Sequence, residues 1–123
     1  FIDNAFEKKM LNVIGKSVAK REFVYVRDVA RAIVLALSKE DIHGSFNIGS
    51  NEAFTNLEIA KMVNECFDNQ DNLSYDDSID EGIESSLMDS SKALEVLGYR
   101  PVYSIKEALN DIKAHKVRGG QDV

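Results

Sequence analysis

Residues 21–37, REFVYVRDVARAIVLAL, contain the change of hydrophobic pattern that decides the fold. Residues 22–26 are mostly aromatic or β-branched, which predicts a β-strand. Asp28 follows at the position of a helix N-cap. Residues 29–37 are apolar almost all round, which predicts a well-buried helix. A strand that leads directly into a buried helix indicates a mixed α/β chain.

The sequence before this stretch predicts a helix and a short apolar segment. Residues 1–11 place apolar side chains on one helical face, which predicts an amphipathic helix. Residues 12–14 are a short apolar stretch that ends at Gly15. The chain begins at Phe1, within the helical pattern and without a methionine. We therefore expect a portion of a longer protein, truncated or cleaved.

The sequence after residue 37 predicts one strand and one capped helix. Residues 45–48 have the pattern of a short strand that stops at Gly49. Thr55 and Glu58 have the spacing of a capping box, in which each side chain binds a free backbone N–H at the other end of the first turn. A helix with a broad apolar face is expected to follow.

The last third of the chain predicts a loop and two more helices. Residues 68–86 are rich in Asp, Asn, Ser and Glu, so we expect a loop with one short strand at 73–75. Asp89 is the predicted N-cap of a helix over 90–97, which Gly98 ends by adopting positive φ. Ser104 and Glu107 form a second capping box. The helix that they open is predicted to end near Lys116, before a loose tail.

Composition excludes several classes of function. The 15 Lys and Arg residues and 21 Asp and Glu residues give a net charge of −6, which disfavours general nucleic-acid binding. One arginine in a pocket can still bind a diphosphate. Cys66 is the only cysteine, which fits a reducing cytoplasm. No apolar run approaches the ~20 residues needed to cross a membrane.

The chain lacks the usual motifs for a dinucleotide and for catalysis. Its glycines, at positions 15, 44, 49, 82, 98, 119 and 120, do not match GxGxxG or GxxGxxG. No tyrosine is followed four positions later by lysine. The two histidines are far apart and have no ligand cluster around them, which argues against a metal site. We therefore expect this chain alone to bind no cofactor and to contain no catalytic residue.

Three segments, in this order, resemble one family. Residues 21–30 (REFVYVRDVA), 44–50 (GSFNIGS) and 89–101 (DSSKALEVLGYRP) are similar to motifs of the extended short-chain dehydrogenases in the NAD-dependent epimerase/dehydratase family, whose members act on nucleotide sugars. Each segment is weak evidence alone. Together, and at this spacing, they are specific for the family and not for its substrate.

The resemblance implies an α/β fold that is the C-terminal, substrate-binding portion of a Rossmann-type parent. Some of its helix and strand elements would belong to the parent's cofactor-domain sheet. The expected organisation within this 1–123 fragment is a substrate-lobe helix and strand at 1–27, a helix and strand that pack on the cofactor domain at 28–50, a C-terminal helical lobe at 51–116 and a tail at 117–123.

The resemblance also implies three substrate-binding residues. The arginine that matches Arg21 contacts the substrate diphosphate in relatives, and a planar guanidinium is suited to two phosphate oxygens. The alternative is a surface arginine before a strand. Asn12 is expected to bond the edge of the nucleotide base and Ile14 to pack on its face. The alternative is a strand edge with one core residue.

One departure from the family pattern bears on the substrate. Many relatives have a second arginine for the diphosphate in an R-x-G-D stretch, and here residues 78–82 read SIDEG. The loss of one charge-assisted contact costs ~2–3 kcal/mol of binding. Either a lysine from elsewhere replaces the arginine, or the substrate is an atypical sugar nucleotide or another carbonyl or alcohol compound.

Three hypotheses for function follow. In the first, the parent is an NAD(P)-dependent nucleotide-sugar epimerase or dehydratase, with NAD or NADP bound outside this chain, and the fragment contributes substrate binding but is inactive alone. In the second, the chain is a stand-alone, non-enzymatic binding or scaffold module derived from the same fold. In the third, it forms a homodimer by covering the apolar face of the helix at 29–37.

Overall fold

The computed structural model describes residues 1–82 and 84–119. Within these residues it has five helices and four short strands. In chain order they are α1 (Ile2–Phe6), β1 (Leu11–Ile14), β2 (Arg21–Glu22), α2 (Val26–Leu37), β3 (Ala53–Phe54), α3 (Asn56–Cys66), β4 (Leu73–Asp76), α4 (Ser91–Leu97) and α5 (Ile105–Gly119). The predicted loose tail at 120–123 lies outside the described residues.

The strands form two separate two-stranded sheets. β1 and β4 are parallel, with Leu11 opposite Leu73, and α3 lies in the connection between them. β2 and β3 are antiparallel, with Arg21 opposite Phe54. The chain is therefore mixed α/β, as the sequence predicts, and it includes the parallel pairing typical of α/β folds.

The larger core packs β1 against α3 and α5. We call it the β1–α3 core, and its buried members include Leu11, Val13, Val63, Phe67 and Leu109. α3 begins at the predicted capping box: the Glu58 N–H donates to Thr55 Oγ1 at 3.2 Å and the Thr55 N–H donates to Glu58 Oε2 at 2.7 Å. The backbone N–H of Thr55 lowers the pKa of the Glu58 carboxyl. This capping confirms the predicted start of the helix.

The smaller core, which we call the α2–α4 core, consists of Ala32, Ala93, Leu97 and Tyr99. Tyr99 is only 1% exposed, and its hydroxyl donates to the Gly49 carbonyl at 2.7 Å. Burial raises the pKa of this hydroxyl. The sharp turn that brings Tyr99 back over α4 depends on the residue before it, Gly98, which has φ of +70°.

The predicted boundary between strand and helix at residues 22–29 is wrong. The strand is limited to β2, and α2 already begins at Val26 with Tyr25 as its N-cap residue. Asp28 therefore lies inside the first turn and does not cap the helix. It is fully buried, and its carboxylate accepts hydrogen bonds from the Val102 and Tyr103 N–H groups at 3.1 and 3.2 Å. Partners this far along the chain leave no local signal in the sequence.

Two expectations for residues 29–48 are also wrong within this chain. The helix is not buried all round, because Ile33, Val34 and Leu37 are 55%, 64% and 81% exposed. No described segment packs on that face. Residues 45–48 form no strand, because no described strand pairs with them.

The remaining differences lie at helix ends. α1 stops at Phe6, because Lys8 turns the chain with φ of +59° and Leu11 begins β1. Ser90, not Asp89, is the N-cap residue of α4, although Asp89 accepts a hydrogen bond from the Ser91 N–H at 2.9 Å. The Ser104–Glu107 capping box is confirmed.

α5, which that box opens, continues to Gly119. The described part of the predicted tail, residues 117–119, is therefore helical. Among the described residues, none of the helices combines the length and the apolar character that crossing a bilayer requires.

Candidate functional site

β1 places two of the predicted site residues on one face. Leu11 and Val13 are buried, whereas Asn12 and Ile14 alternate with them and point away from the core. Asn12 Oδ1 accepts a hydrogen bond from Ser74 on β4 at 2.6 Å, and Ile14 is 55% exposed. The strand thus presents an amide and an apolar side chain side by side.

The loops that follow β1 and β4 leave the sheet at the same edge, because the two strands are parallel. They then remain paired: the Val18 N–H donates to Glu81 Oε2 at 3.3 Å, and the Ser86 N–H donates to the Lys20 carbonyl at 2.9 Å. This pairing continues to Arg21, which forms a parallel bridge with Ser86.

Two backbone features hold the loop after β1 close to its neighbours. Gly15 has φ of +83°, and a Cβ atom there would lie 2.7 Å from Glu81 Cβ. Only glycine fits both the conformation and the contact. Ser17 follows with φ of +52°, and its hydroxyl accepts a hydrogen bond from the Leu57 N–H at 2.8 Å.

A cavity of about 460 Å³ lies between these loops, lined by Lys16, Val18 and residues 77–82. We call it the loop cavity. Its wall carries the SIDEG segment at residues 78–82, the stretch in which the family resemblance implies a second arginine. Among the described residues, the ammonium group of Lys16 has no hydrogen bond or ion pair. Lys16 is the one cation among the described residues that line this cavity, and the carboxylates of Asp77, Asp80 and Glu81 line it as well.

Arg21 lies in β2, between Phe54 of β3 and Ser86. Its side chain is exposed, and its guanidinium makes no hydrogen bond or ion pair with the described part of the chain. The structure therefore brings Asn12 and Ile14 together on one strand. It places Arg21 in the other sheet, at the far end of the paired loops.

Glu22, next to the predicted site residue Arg21, makes contacts that the sequence did not reveal. Its carboxylate accepts hydrogen bonds from three backbone N–H groups, those of Ser50, Asn51 and Met88. Backbone donors carry no residue-type signature, so no motif could have identified this role. Its neighbour Arg21 was found only through the family motif.

A second polar cluster lies away from the predicted site. The Tyr25 hydroxyl donates to Asp111 Oδ2, and Arg27 Nε lies 3.4 Å from the same oxygen. Burial, and then the hydrogen bond to Asp111, raises the pKa of Tyr25, and the same hydrogen bond lowers the pKa of Asp111. These contacts join α5 to the start of α2.

An apolar cavity of about 470 Å³ lies beside this cluster, between α1, α3 and α5. Phe23 lines it and is 38% exposed. None of the three predicted site residues lines this cavity, so it carries no support for substrate binding.

The described residues do not fit a dinucleotide site. None of the five helices begins on a glycine-rich turn, the feature that lets a pyrophosphate approach a helix N-terminus. In the same residues, no three His, Cys, Asp or Glu side chains lie close enough to hold a metal ion.

Comparison with known proteins identifies the class and then the family. The chain resembles a Rossmann-type epimerase structure, UDP-N-acetylglucosamine 4-epimerase from Bacillus cereus, with a TM-score of 0.82 and 41% identity over 93% of this chain and 38% of that one. UDP-glucuronic acid 4-epimerase from Bacillus cereus, solved with UDP-glucuronic acid and NAD, matches at a TM-score of 0.74 and 28% identity over 88% of this chain and 35% of that one.

The sequence comparisons point to the same family as the structural comparisons. UDP-glucuronic acid decarboxylase 2 of Arabidopsis thaliana is 31% identical over 109 residues, which are 89% of this chain and 24% of that protein. The profile of the NAD dependent epimerase/dehydratase family matches residues 1–49. The chain belongs to this family of extended short-chain dehydrogenases, as its motifs predicted, and it spans about a quarter of the length of the curated relative.

Proposed function

We propose that this chain provides part of the substrate site of a longer, NAD(P)-dependent enzyme that epimerises or dehydrates a nucleotide sugar. The observation that carries the proposal is Arg21, an exposed guanidinium without a partner in the described chain. It sits at the end of paired loops that begin beside Asn12 and Ile14. Relatives that act on UDP-sugars share this fold.

Each of the three residues has a chemical role in this proposal. Arg21 donates two parallel N–H···O bonds to the diphosphate, the geometry that a guanidinium fork favours. Asn12 bonds the edge of the base, and Ile14 packs on its face. None of them takes part in proton or hydride transfer. They raise the rate by orienting the substrate.

Lys16 is the proposed replacement for the missing second arginine. It lines the loop cavity, and its ammonium has no partner in the described chain. Two of the carboxylates that line the cavity already accept backbone hydrogen bonds: Glu81 accepts from the Val18 N–H, and Asp80 accepts from the Gly82 N–H at 3.0 Å. A single lysine gives a weaker, less directional contact than an arginine fork.

The rest of the longer protein completes the fold and binds the cofactor, NAD or NADP. The exposed apolar face of α2 and the unpaired segment at 45–48 support this part of the proposal, because both lack a partner in the described chain. In this proposal residues 28–50 pack on the cofactor domain. The fragment alone is inactive, and the single cysteine favours a cytoplasmic location.

The test is Arg21→Ala in the full-length protein, assayed with NAD and UDP-sugars. We expect the substrate KM to rise by about tenfold to a hundredfold, because one charge-assisted phosphate contact is lost. Arg118→Ala, at the exposed end of α5, is the matched control and should leave KM unchanged. A KM that does not respond to Arg21→Ala would defeat the diphosphate role and favour a substrate without a diphosphate.

A further inference from the structure

The Glu22 carboxylate is held by three backbone N–H groups from two separate segments of the chain. Oε1 accepts from Ser50 and from Asn51, the latter at 2.8 Å, and Oε2 accepts from Met88 at 2.7 Å. We propose that Glu22 is a positioning residue that holds Arg21 in place for the substrate phosphates. The phosphate role of Arg21 is part of the proposed function, so this inference rests on it.

The side chains of Arg21 and Glu22 point to opposite faces of β2. Successive side chains of a β-strand point to opposite faces. Arg21 is exposed, whereas Glu22 is half-buried against the rest of the chain. Glu22 therefore binds the protein from the inner face of β2, while Arg21 remains free on the outer face.

The segments that Glu22 binds are continuous with both strand partners of Arg21. Ser50 and Asn51 lead into β3, where Phe54 pairs with Arg21. Met88 follows Ser86, which forms the bridge on the other side. The Glu22 carboxylate thus connects β2 to the two backbone segments that flank Arg21. Hydrogen bonds to an ionised acceptor are stronger than neutral ones, so this contact is suited to fix the three segments.

The loop that Glu22 binds is shaped to receive a carboxylate. The consecutive N–H groups of Ser50 and Asn51 converge on one oxygen, an arrangement that forms an anion-binding concavity. Asn51 has φ of +62°, which turns the chain at this point. The concavity is filled by the protein's own carboxylate and is not available to a ligand.

Gly49 allows this close approach. A Cβ atom at Gly49 would lie 2.8 Å from Glu22 Cδ and 3.0 Å from Ser90 Oγ. The Gly49 N–H already donates to that Ser90 hydroxyl at 3.0 Å, so the backbone cannot simply move aside. A methyl group here would push the Glu22 carboxylate off its donors.

The experiment measures the binding of UDP to the full-length protein by titration calorimetry. Glu22→Gln replaces one accepting oxygen by a donating NH₂ that opposes a backbone N–H, and we expect it to weaken UDP binding by about tenfold. If Glu22 acts through Arg21, adding Glu22→Gln to Arg21→Ala should cause no further loss. Glu107→Gln is the matched control, because it makes the same substitution at another carboxylate that accepts from a backbone N–H, that of Ser104 at 2.8 Å, and it should leave UDP binding unchanged.

Two results would overturn the proposal: UDP affinity that is unchanged in Glu22→Gln, or effects of Glu22→Gln and Arg21→Ala that add in full. Gly49→Ala should reproduce the loss, and it serves as a second variant if Glu22→Gln does not fold. A wild-type protein that binds neither UDP nor another nucleoside diphosphate would instead refute the proposed function.

Amide hydrogen exchange tests the contact without UDP. Glu22→Gln should speed exchange at Ser50, Asn51 and Met88, and unchanged exchange at all three would refute the positioning role.

Discussion

The β1–α3 core and the α2–α4 core differ in how completely this chain covers them. In the first, Leu11, Val63 and Phe67 are at most 2% exposed. In the second, α2 buries Ala32, but its outer face leaves Val34 and Leu37 64% and 81% exposed. Contiguous apolar surface of this kind usually marks an interface. Within the described residues the first core is therefore largely covered, whereas the outer face of α2 is not, which agrees with the proposal that this face packs on the rest of the enzyme.

The largest expected loss of stability tests how tightly the β1–α3 core is packed. Leu11→Ala removes a fully buried side chain in β1, so it should lower the free energy of unfolding by about 2–5 kcal/mol. Urea unfolding of the 123-residue chain, followed by circular dichroism, measures the loss. A loss below about 1 kcal/mol would show that this core is loosely packed and that the contrast between the two regions is false.

A smaller loss of stability tests the hydrogen bonds that join α2 to the rest of the chain. Asp28→Ala removes the acceptor for the Val102 and Tyr103 N–H groups and the partner of Arg31 Nη1 at 3.1 Å. We expect a loss of about 1–3 kcal/mol, because buried donors are left without partners. Val29→Ala, also in the first turn of α2 but only half-buried, is the control and should cost less. Equal losses of stability in Asp28→Ala and Val29→Ala would show that the Asp28 hydrogen bonds are not the main contact between α2 and the rest of the chain.

The features predicted correctly from sequence depend on local chemistry. The two capping boxes and the positive φ of Gly98 involve residues within four positions of one another. The strand near 73–75 was also found, because its apolar and aromatic residues interrupt a polar loop. Such features are set by neighbours along the chain, which a single sequence displays directly.

The errors came from long-range partners. Asp28 resembled a cap, but its acceptors bind N–H groups more than seventy residues later. The apolar pattern of residues 29–37 predicted burial, but no described segment covers Val34 and Leu37. Of the candidate site, Arg21, Asn12 and Ile14 came from the family resemblance and remain predictions. Glu22 was missed because its partners are backbone N–H groups.

The most direct test of the packing proposed for α2 compares Leu37→Ala in two settings, the 123-residue chain and the full-length protein. In the chain, Leu37 is 81% exposed and the free energy of unfolding should change by less than about 0.5 kcal/mol. In the full-length protein, the proposed cofactor domain covers this face and the same change should cost about 2–5 kcal/mol. Equal, negligible losses in both settings would contradict the claim that the α2 face packs on the rest of the enzyme.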